Sequence, residues 1–295
     1  MSTGGLLLVD KPAGITSHDV VAIVRRAARS KRVGHAGTLD PFATGLLVIA
    51  VGPCTRLLPY VQGEPKVYEA TIRFGHETDT DDATGALSLQ AAPPALDDTL
   101  ALNAAIASLT GMVQQVPPAY SAKHVGGTRA YALARSGAEV VLPPVSITVH
   151  AWQVLRVEDT RLHVRIECAG GTYIRALARD LGRALGSAAH CESLRRVSSG
   201  AAAVANAVPV SDLVPGAIAD GVIPLQSPLP SLGRVAHESL DEAALRDLSH
   251  GRSVPATQPG EMAALLRDGV IVGIARRTPE NRWQPRVVLL GDEAA

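Results

Sequence analysis

The sequence predicts an α+β fold, in which a large domain of interspersed strands and helices precedes a small, mostly β domain. The fully apolar stretch from Gly45 to Gly52 is typical of a buried strand, and the alternation from Val67 to Phe74 is typical of a half-buried one. Five prolines between Pro209 and Pro230 mark a change in composition. We therefore predict domains at 1–225 and 226–295, and we expect the first to fold without the second.

The other elements follow from the same periodicities. Thr16 or Ser17 can cap the first helix, and Val116-Pro117-Pro118 cannot lie inside any helix. Helices are predicted at 18–29, 100–109, 128–135, 173–185 and 241–248, and residues 34–41 are predicted to form a glycine-bearing loop. Strands are predicted at 6–9, 45–52, 67–74, 145–155, 161–168, 270–275 and 286–290.

Composition excludes several classes of protein. The apolar share of 46% suffices for a packed core, which excludes a disordered chain. The three cysteines, Cys54, Cys168 and Cys191, have neither disulfide-framework nor zinc spacing. The N-terminus lacks the pattern of a signal peptide, and no apolar run is long enough to span a membrane. We expect a cytoplasmic protein that is not bound to a membrane.

The net charge of zero gives no sign of a nucleic-acid partner, but the local distribution of charge does. Five cations fall within one helical stretch and its end: Arg25, Arg26, Arg29, Lys31 and Arg32. Such a run is typical of phosphate contacts and equally of a solvated helix face. The run alone therefore leaves both interpretations open.

The loop before the apolar strand carries the clearest functional pattern. Its glycines at 34, 37 and 45 permit a close backbone approach or a positive φ, and Asp40 precedes Pro41 at the strand entrance. Taken alone, an aspartate before proline is more often structural than catalytic, and a single histidine such as His35 is more often a core or surface residue.

This loop, G-H-A-G-T-L-D-P-F-A-T-G at 34–45, resembles the signature of the TruB family of tRNA pseudouridine synthases, G-H-x-G-T-L-D-P-x-A-T-G. Further motifs of the family occur in order at 8–12 with Gly14 and Ser17, and at 66–68, 78–81, 117–123, 170–175 and 194–196. The resemblance covers residues 5–212, and the tail more weakly resembles an RNA-binding PUA domain. It implies a mixed, largely antiparallel sheet in the catalytic domain and an RNA-gripping insertion at about 115–145.

The implied activity is conversion of uridine 55 in the T loop of tRNA to pseudouridine. This isomerisation loses no electrons and activates no water, so we expect neither a cofactor nor a metal. A carboxylate is needed, either to attack the ribose or to deprotonate it. The resemblance assigns that carboxylate to Asp40.

The resemblance also assigns the other groups around the base. Arg175 pairs with Asp40 and keeps it ionised. His35 lies where the flipped base departs, and Tyr68 stacks on the uracil and exchanges a proton at its carbon. Without the motifs, Tyr68 is equally an ordinary strand aromatic and Arg175 a surface charge at a helix end.

Three further residues complete the predicted pocket. Tyr173 and Leu194 resemble the remaining wall, and Lys11 is expected to support the pocket from nearby. Leu194 could equally be a plain core residue, in which case only its backbone would contact the substrate.

The RNA contacts are expected on basic side chains of the first domain. The predicted backbone contacts are Arg25, Arg26, Arg29, Lys31, Arg32, Lys123, Arg129 and Arg196, with further charge from Arg135, Arg179, Arg183 and Arg195. Each could equally belong to a solvated face. The expected partner is the T arm of tRNA, bound by a monomer.

Two alternatives remain. The chain could modify another RNA within a guide complex, although the insertion at 118–144 resembles the stand-alone bacterial type and leads us to expect no guide RNA. It could also be an RNA-folding chaperone whose catalysis is dispensable. An intact set of Asp40, Tyr68 and Arg175 favours the enzyme, because a binding protein does not require it.

Overall fold

A computed structural model describes residues 4–61, 63–120, 124–125, 128–129 and 142–290 of the chain, and at 124–125 and 128–129 it describes only the backbone. The chain divides into two compact units. The first comprises Met1–Pro41, Gly45–Gly63 and Gly200–Ala295, and the second comprises Phe42–Thr44 and Glu64–Ser199.

The chain contains both strands and helices, and most helices are separated by runs of several strands, in agreement with the α+β prediction. The strands are β1 (Gly5–Lys11), β2 (Val33–Ala36), β3 (Thr44–Val51), β4 (Lys66–Phe74), β5 (His76–Thr78), β6 (Leu87–Gln90), β7 (Gly111–Gln115), β8 (His124–Val125), β9 (Thr128–Arg129), β10 (Val145–Glu158), β11 (Arg161–Cys168), β12 (Ala189–Ser199), β13 (Ala202–Ala203), β14 (Val208–Pro209), β15 (Ala236–Ser239), β16 (Val254–Pro255), β17 (Met262–Arg267), β18 (Val270–Arg277) and β19 (Arg282–Val288). The helices are α1 (Ser17–Ala27), α2 (Thr99–Ser108), α3 (Ile174–Ala184) and α4 (Glu242–Ser249), with 3-10 segments at Gly52–Tyr60, Val204–Asn206, Val210–Asp212 and Leu229–Leu232.

Helix α1 begins where its capping residues predict. The Thr16 side chain accepts from the Asp19 backbone N–H, and the Asp19 carboxylate accepts in return from the Thr16 N–H, which forms a capping box. The helix ends two residues earlier than predicted, because Arg29 adopts a positive φ of 46°. Backbone N–H groups of the 216–219 segment then bond the last carbonyls, those of residues 26 and 27.

The first unit contains two groups of paired strands. Strand β3 pairs antiparallel with β1 and β2, and β1 pairs parallel with β14. The C-terminal strands form a separate five-stranded sheet in the order β15-β17-β18-β19-β16, consistent with a PUA-like domain.

The C-terminal sheet shares a hydrophobic core with the N-terminal strands. Buried residues of β1 and β3, including Leu6 and Val48, pack in one cluster with Leu232, Ala264 and Ile274. A chain ending at residue 225 would expose this apolar surface to water. The expectation that residues 1–225 fold without the tail therefore conflicts with this core, and the boundary near residue 225 stays a prediction.

The second unit is built on the antiparallel order β12-β4-β11-β10-β7. Helix α3 packs on β12 and β4. Tyr68, Ala70, Ile72 and Phe74 are all buried, as the alternation along β4 predicts. Within each unit, the strand pairs of the described residues are antiparallel except for β1 with β14 and β15 with β17, which confirms a mixed, largely antiparallel α+β fold.

Two local predictions are wrong. Part of the expected loop at 34–41 is strand, because residues 33–36 form β2 and pair with β3. The helix expected at 128–135 fails at Thr128 and Arg129, which form β9 opposite β8. The rest of that stretch lies outside the described residues.

The shared core of the first unit gives a stability prediction. We expect Ile274→Ala, at a fully buried position, to lower the free energy of unfolding by about 2–5 kcal/mol, because the cavity opens onto both sheets. Val270→Ala on the same strand is the control, since Val270 is 60% exposed and should change stability by less than about 0.5 kcal/mol. Urea denaturation of both variants measures the difference, and equal effects would contradict the shared core.

Candidate active site

The loop that carries Asp40 is held from two sides within the first unit. The fully buried Lys11 donates from Nζ to the carbonyls of Pro12 and Ile15, each at 2.8 Å, and of Pro41 at 3.3 Å. The buried Ser17 hydroxyl donates to the Leu39 carbonyl at 3.0 Å and accepts from the Leu39 N–H at 2.9 Å. Both neighbours of Asp40 are therefore fixed, which restrains the half-buried carboxylate between them.

Lys11 also contributes charge to this loop. Burial lowers the pKa of Lys11 to about 8, while the negative charges of Asp40 and Asp19 act in the opposite direction. At neutral pH the ammonium group remains mainly protonated and faces the field of the Asp40 carboxylate. In this structure Lys11 therefore holds the backbone of the loop that carries Asp40, and its role near the pocket stays a prediction.

His35 lies in β2, directly before the turn that leads to Asp40. Its ring meets the ring of His18 edge to face, with centroids 5.6 Å apart and planes at 86°. The turn after β2 requires glycine at residue 37, where φ is 78°, a backbone conformation that side chains disfavour. Sequence reasoning missed His18, which lies in the first turn of α1 and has no motif that marks it.

Tyr68 and Leu194 share one face of the sheet in the second unit. Tyr68 of β4 lies opposite Arg196 of β12, and Ala70 lies opposite Leu194. Side chains of paired residues and of residues two apart point to the same face. Tyr68 and Leu194 are each 7% exposed, so the structure brings these two predicted pocket residues together in a nearly closed setting.

Arg175 is buried at the start of α3 and held by backbone carbonyls. It donates to the Thr80 carbonyl at 2.7 Å and to the Tyr120 carbonyl at 3.0 Å, and its guanidinium lies 3.6 Å from an Asp82 carboxylate oxygen. At 3% exposure this side chain has little freedom to change rotamer. It is therefore a fixed positive charge rather than a surface charge at a helix end.

Two more arginines follow Arg175 at helical spacing. Arg179 bonds the buried Asp81 at 2.8 Å and the Val116 carbonyl at 2.8 Å. Arg183 binds both oxygens of Glu77, at 2.8 and 2.7 Å. Burial raises the pKa of Asp81 to about 6, against the lowering effect of Arg179 and Arg175.

We call these contacts the arginine ladder: Arg175, Arg179 and Arg183 of α3 with Asp82, Asp81 and Glu77. The acidic side of the ladder, of which only Asp81 belongs to the motif at 78–81, was not predicted as a partner for α3. The spacing of 175, 179 and 183 on one helix face was the available signal, but the sequence does not show which acids face it.

Tyr173 is the N-cap residue of α3, and its side chain makes no capping bond. Its backbone N–H donates to Oε1 of Gln115, and its carbonyl accepts from Nε2 of Gln115, both at 3.0 Å. Gln115 is fully buried at the end of β7. Sequence reasoning missed it, because a glutamine carries no charge or motif that indicates its partner.

The predicted phosphate contacts of the first unit divide into two groups. Arg25, Arg26, Lys31 and Arg32 are exposed, as a binding role requires. Arg29 is also exposed, but it makes a two-point ion pair with Asp220, at 2.7 and 3.1 Å. That pair ties the end of α1 to the 213–223 segment, so Arg29 has a structural partner.

Arg196 is 1% exposed, so its guanidinium is inaccessible to a phosphate in this structure. Its positive charge adds to the effect of burial in lowering the pKa of Lys66. We therefore remove Arg196 from the expected backbone contacts. Lys123 and Arg135 lie outside the described residues, and for Arg129 only the backbone strand is described.

Arg179 and Arg183 do not serve as open phosphate contacts either, because both are engaged in the arginine ladder. Arg195 lies 3.5 Å from the Thr44 hydroxyl, to which it donates.

Over the described ranges, no group of three or more His, Cys, Asp and Glu side chains is arranged to hold a metal ion. Within the same ranges no helix is long and apolar enough to cross a bilayer.

Comparison with protein families matches residues 25–174 to the TruB family pseudouridylate synthase N-terminal domain. A curated relative named tRNA pseudouridine synthase B, from Leifsonia xyli subsp. xyli, is 46% identical over 287 residues, which cover 93% of each chain. Another of that name, from Thermobifida fusca, is 44% identical over 97% of this chain and 99% of its own length.

Solved structures share the fold at lower identity. The chain superposes on a protein in a Cbf5-Nop10-Gar1 complex with a TM-score of 0.72 and 22% identity, covering 98% of this chain and 86% of the other. An archaeal box H/ACA sRNP Nop10-Cbf5 complex gives a TM-score of 0.70 at 21% identity, covering 98% and 87%. At these identities the likeness concerns the fold.

The arginine ladder predicts unequal effects of two otherwise equivalent changes. Arg179→Ala should lower the free energy of unfolding by about 3–5 kcal/mol, since it leaves the buried Asp81 without its cation. Arg183→Ala should lower it by less than about 1 kcal/mol, because that side chain is 58% exposed.

The deficit of Arg179→Ala should also shrink as pH falls from about 8 to about 5. Burial already raises the pKa of Asp81, and removing Arg179 takes away a charge that lowers it, so the folded variant binds the proton more tightly than folded wild type does. As pH falls, protonation of Asp81 removes the unpaired charge, and the variant regains stability relative to wild type. Urea denaturation of both variants at several pH values measures this, and a pH-independent deficit would contradict it.

Proposed function

The chain belongs to the TruB family of pseudouridylate synthases, and we propose that it isomerises uridine 55 in the T loop of tRNA, with Asp40 as the nucleophile. The curated relatives at 41–46% identity, all named tRNA pseudouridine synthase B, support tRNA as the substrate class. The observation that carries the assignment to Asp40 is its place in the 34–45 motif, on a segment anchored by Lys11 and Ser17.

The reaction breaks the bond between ribose C1′ and base N1 and forms one between C1′ and base C5. N1 gains a proton and C5 loses one, so atoms and electrons balance without a cofactor or a metal. In our proposal the Asp40 carboxylate starts the reaction, either by attack at C1′ or by taking a proton from the ribose. A carboxylate fixed on a backbone-anchored loop suits both routes, because little reorganisation is needed when charge develops.

The uridine must leave the folded loop, at a cost of a few kcal/mol. We propose that His35 occupies the space that the base leaves, where its edge contact with His18 limits ring rotation. Tyr68 would stack on the extruded uracil and exchange the C5 proton through its hydroxyl. Tyr173 and Leu194 would form the rest of the pocket wall.

Arg175 would pair with the Asp40 carboxylate, as the family resemblance implies. The support for this role is its fixed, permanently charged state: three polar contacts hold a guanidinium that is 3% exposed. Arginine suits a buried position of this kind better than lysine, since it does not lose its proton there.

The RNA would be held mainly by shape and by phosphate contacts. The contacts that we propose for the first unit are exposed cations at the end of α1 and in the turn that follows it: Arg25, Arg26, Lys31 and Arg32. We further propose that the enzyme acts as a monomer and without a guide RNA. The near-complete coverage of relatives named as tRNA enzymes favours this over a guide-dependent assembly.

One assay tests the function. The purified protein is incubated with a single unmodified tRNA transcript in EDTA, and pseudouridine is mapped at nucleotide resolution. The proposal expects modification at position 55 alone. Modification elsewhere would overturn the site, and a requirement for added metal or guide RNA would overturn the mechanism or the stand-alone assignment.

Asp40→Asn should abolish turnover and leave tRNA affinity within about tenfold, because the amide keeps the shape of the side chain and loses its charge. Asp97→Asn is the matched control, since Asp97 is exposed and should leave the rate unchanged. Single-turnover assays and filter binding measure the two quantities. Pseudouridine formation by purified Asp40→Asn above contamination would remove Asp40 from the nucleophile role.

The basic end of α1 gives a second prediction about RNA. Arg26→Ala should weaken tRNA binding and reduce the slope of log K against log salt by about 1, as expected for one lost phosphate contact. Arg29→Ala should leave that slope unchanged, because Arg29 is paired with Asp220. Binding titrations from low to moderate salt compare the two variants. Equal slopes would contradict the proposal that Arg26 contacts a phosphate and Arg29 does not.

A further inference from the structure

The fully buried side-chain amide of Gln115 pairs with the backbone of Tyr173 in both directions. One group accepts from the Tyr173 N–H and the other donates to the Tyr173 carbonyl, each at 3.0 Å. Glutamine is suited to this task, since its side chain carries a donor and an acceptor side by side. Glutamate can only accept when ionised, and leucine can do neither.

Tyr173 is the residue from which α3 starts, two positions before Arg175. Its backbone is extended, with φ −98° and ψ 107°, and its side chain makes no capping bond. The Tyr173 carbonyl also accepts the first helical bond, from the Leu177 N–H at 3.1 Å. Gln115 therefore fixes the peptide groups on either side of the residue that begins the helix.

The chain after Gln115 continues to hold α3. The Val116 carbonyl accepts from Arg179 at 2.8 Å, and the Tyr120 carbonyl accepts from Arg175 at 3.0 Å. Two buried prolines at 117 and 118 restrict the backbone between these acceptors. Residues 115–120 thus meet α3 at three successive points, and Gln115 is the one that contacts its backbone.

We propose that Gln115 is a positioning residue for pseudouridine formation, which acts through Tyr173 and Arg175. The inference rests on the proposed function, in which Tyr173 forms part of the pocket wall and Arg175 pairs with Asp40. Losing the reciprocal pair would leave buried backbone groups of Tyr173 without their partner and let the start of α3 shift. Misplacing catalytic groups slows the chemical step more than it weakens the binding of a large RNA.

The test uses the full chain with two changes at Gln115 and a matched pair of controls. Gln115→Glu keeps the size and one acceptor, and Gln115→Leu keeps the approximate size and removes both polar groups. The controls are Gln114→Glu and Gln114→Leu, on the exposed neighbouring residue of the same strand. Single-turnover rates at saturating enzyme report the chemistry, and equilibrium binding reports affinity for tRNA.

We expect both Gln115 variants to slow single-turnover formation of pseudouridine by about tenfold or more, with the Kd for tRNA within about threefold of wild type. Gln114 variants should match wild type in both quantities. Folded Gln115 variants with wild-type rates would overturn the positioning role. Equal losses in rate and affinity would also overturn it, because a general structural defect predicts that pattern.

Amide hydrogen exchange in the wild-type chain tests the hydrogen bonds between Gln115 and the Tyr173 backbone, even where a variant does not fold. The Tyr173 N–H should exchange as slowly as the buried amides of β4, and rapid exchange would overturn the proposal. Failure of the proposed function is a separate result, since wild type would then form no pseudouridine in the same assay.

Discussion

The arginine ladder, which is buried at Arg175 and Arg179, is the interaction on which the position of α3 in the second unit depends. An unpaired charge inside a protein costs several kcal/mol, so Arg179 and Asp81 can be buried only together and only with their remaining hydrogen bonds satisfied. This requirement fixes how α3 lies against the 77–82 segment, and a rotation of the helix would break several bonds at once. Arg175 is positioned as a consequence, at the end of the ladder where its charge is held by two carbonyls and Asp82.

The first unit holds its key carboxylate by a related device. Lys11 and Ser17 are buried polar side chains whose partners are backbone atoms of the 12–15 and 39–41 segments. Bonds to the backbone fix the path of a loop regardless of which side chains it carries, so Asp40 can be selected for chemistry alone. In both units the reacting groups that we propose are positioned by neighbours that do not react, as pre-organised catalysis requires.

Local signals in the sequence predicted local structure well, and non-local pairing is where they failed. Thr16 with Asp19 marked the start of α1, and alternation marked the buried face of β4. Arg196 was expected at an RNA surface but is buried, and the ion pair of Arg29 with Asp220, 191 positions away, was not predicted. Periodicity along the sequence does not show which side chains pair over such distances or become buried. The catalytic role of Asp40 was predicted from the long match to the family motif. Composition and residue spacing alone did not predict it.

Local sequence signals also could not show the contacts of the segment that precedes the predicted domain boundary. Proline-rich composition after residue 208 suggested a linker, yet Val208 and Pro209 pair with β1, and Gln226 exchanges two backbone hydrogen bonds with Leu6. Proline lacks a donor but keeps its acceptor, so it is compatible with the outer position of a sheet. The segment is therefore not free of contacts, and Pro209 itself lies in an edge strand of the sheet. The apolar cluster of β1, β3, β17 and β18 then follows, since a chain anchored at residue 226 brings its next strands against the same buried surface.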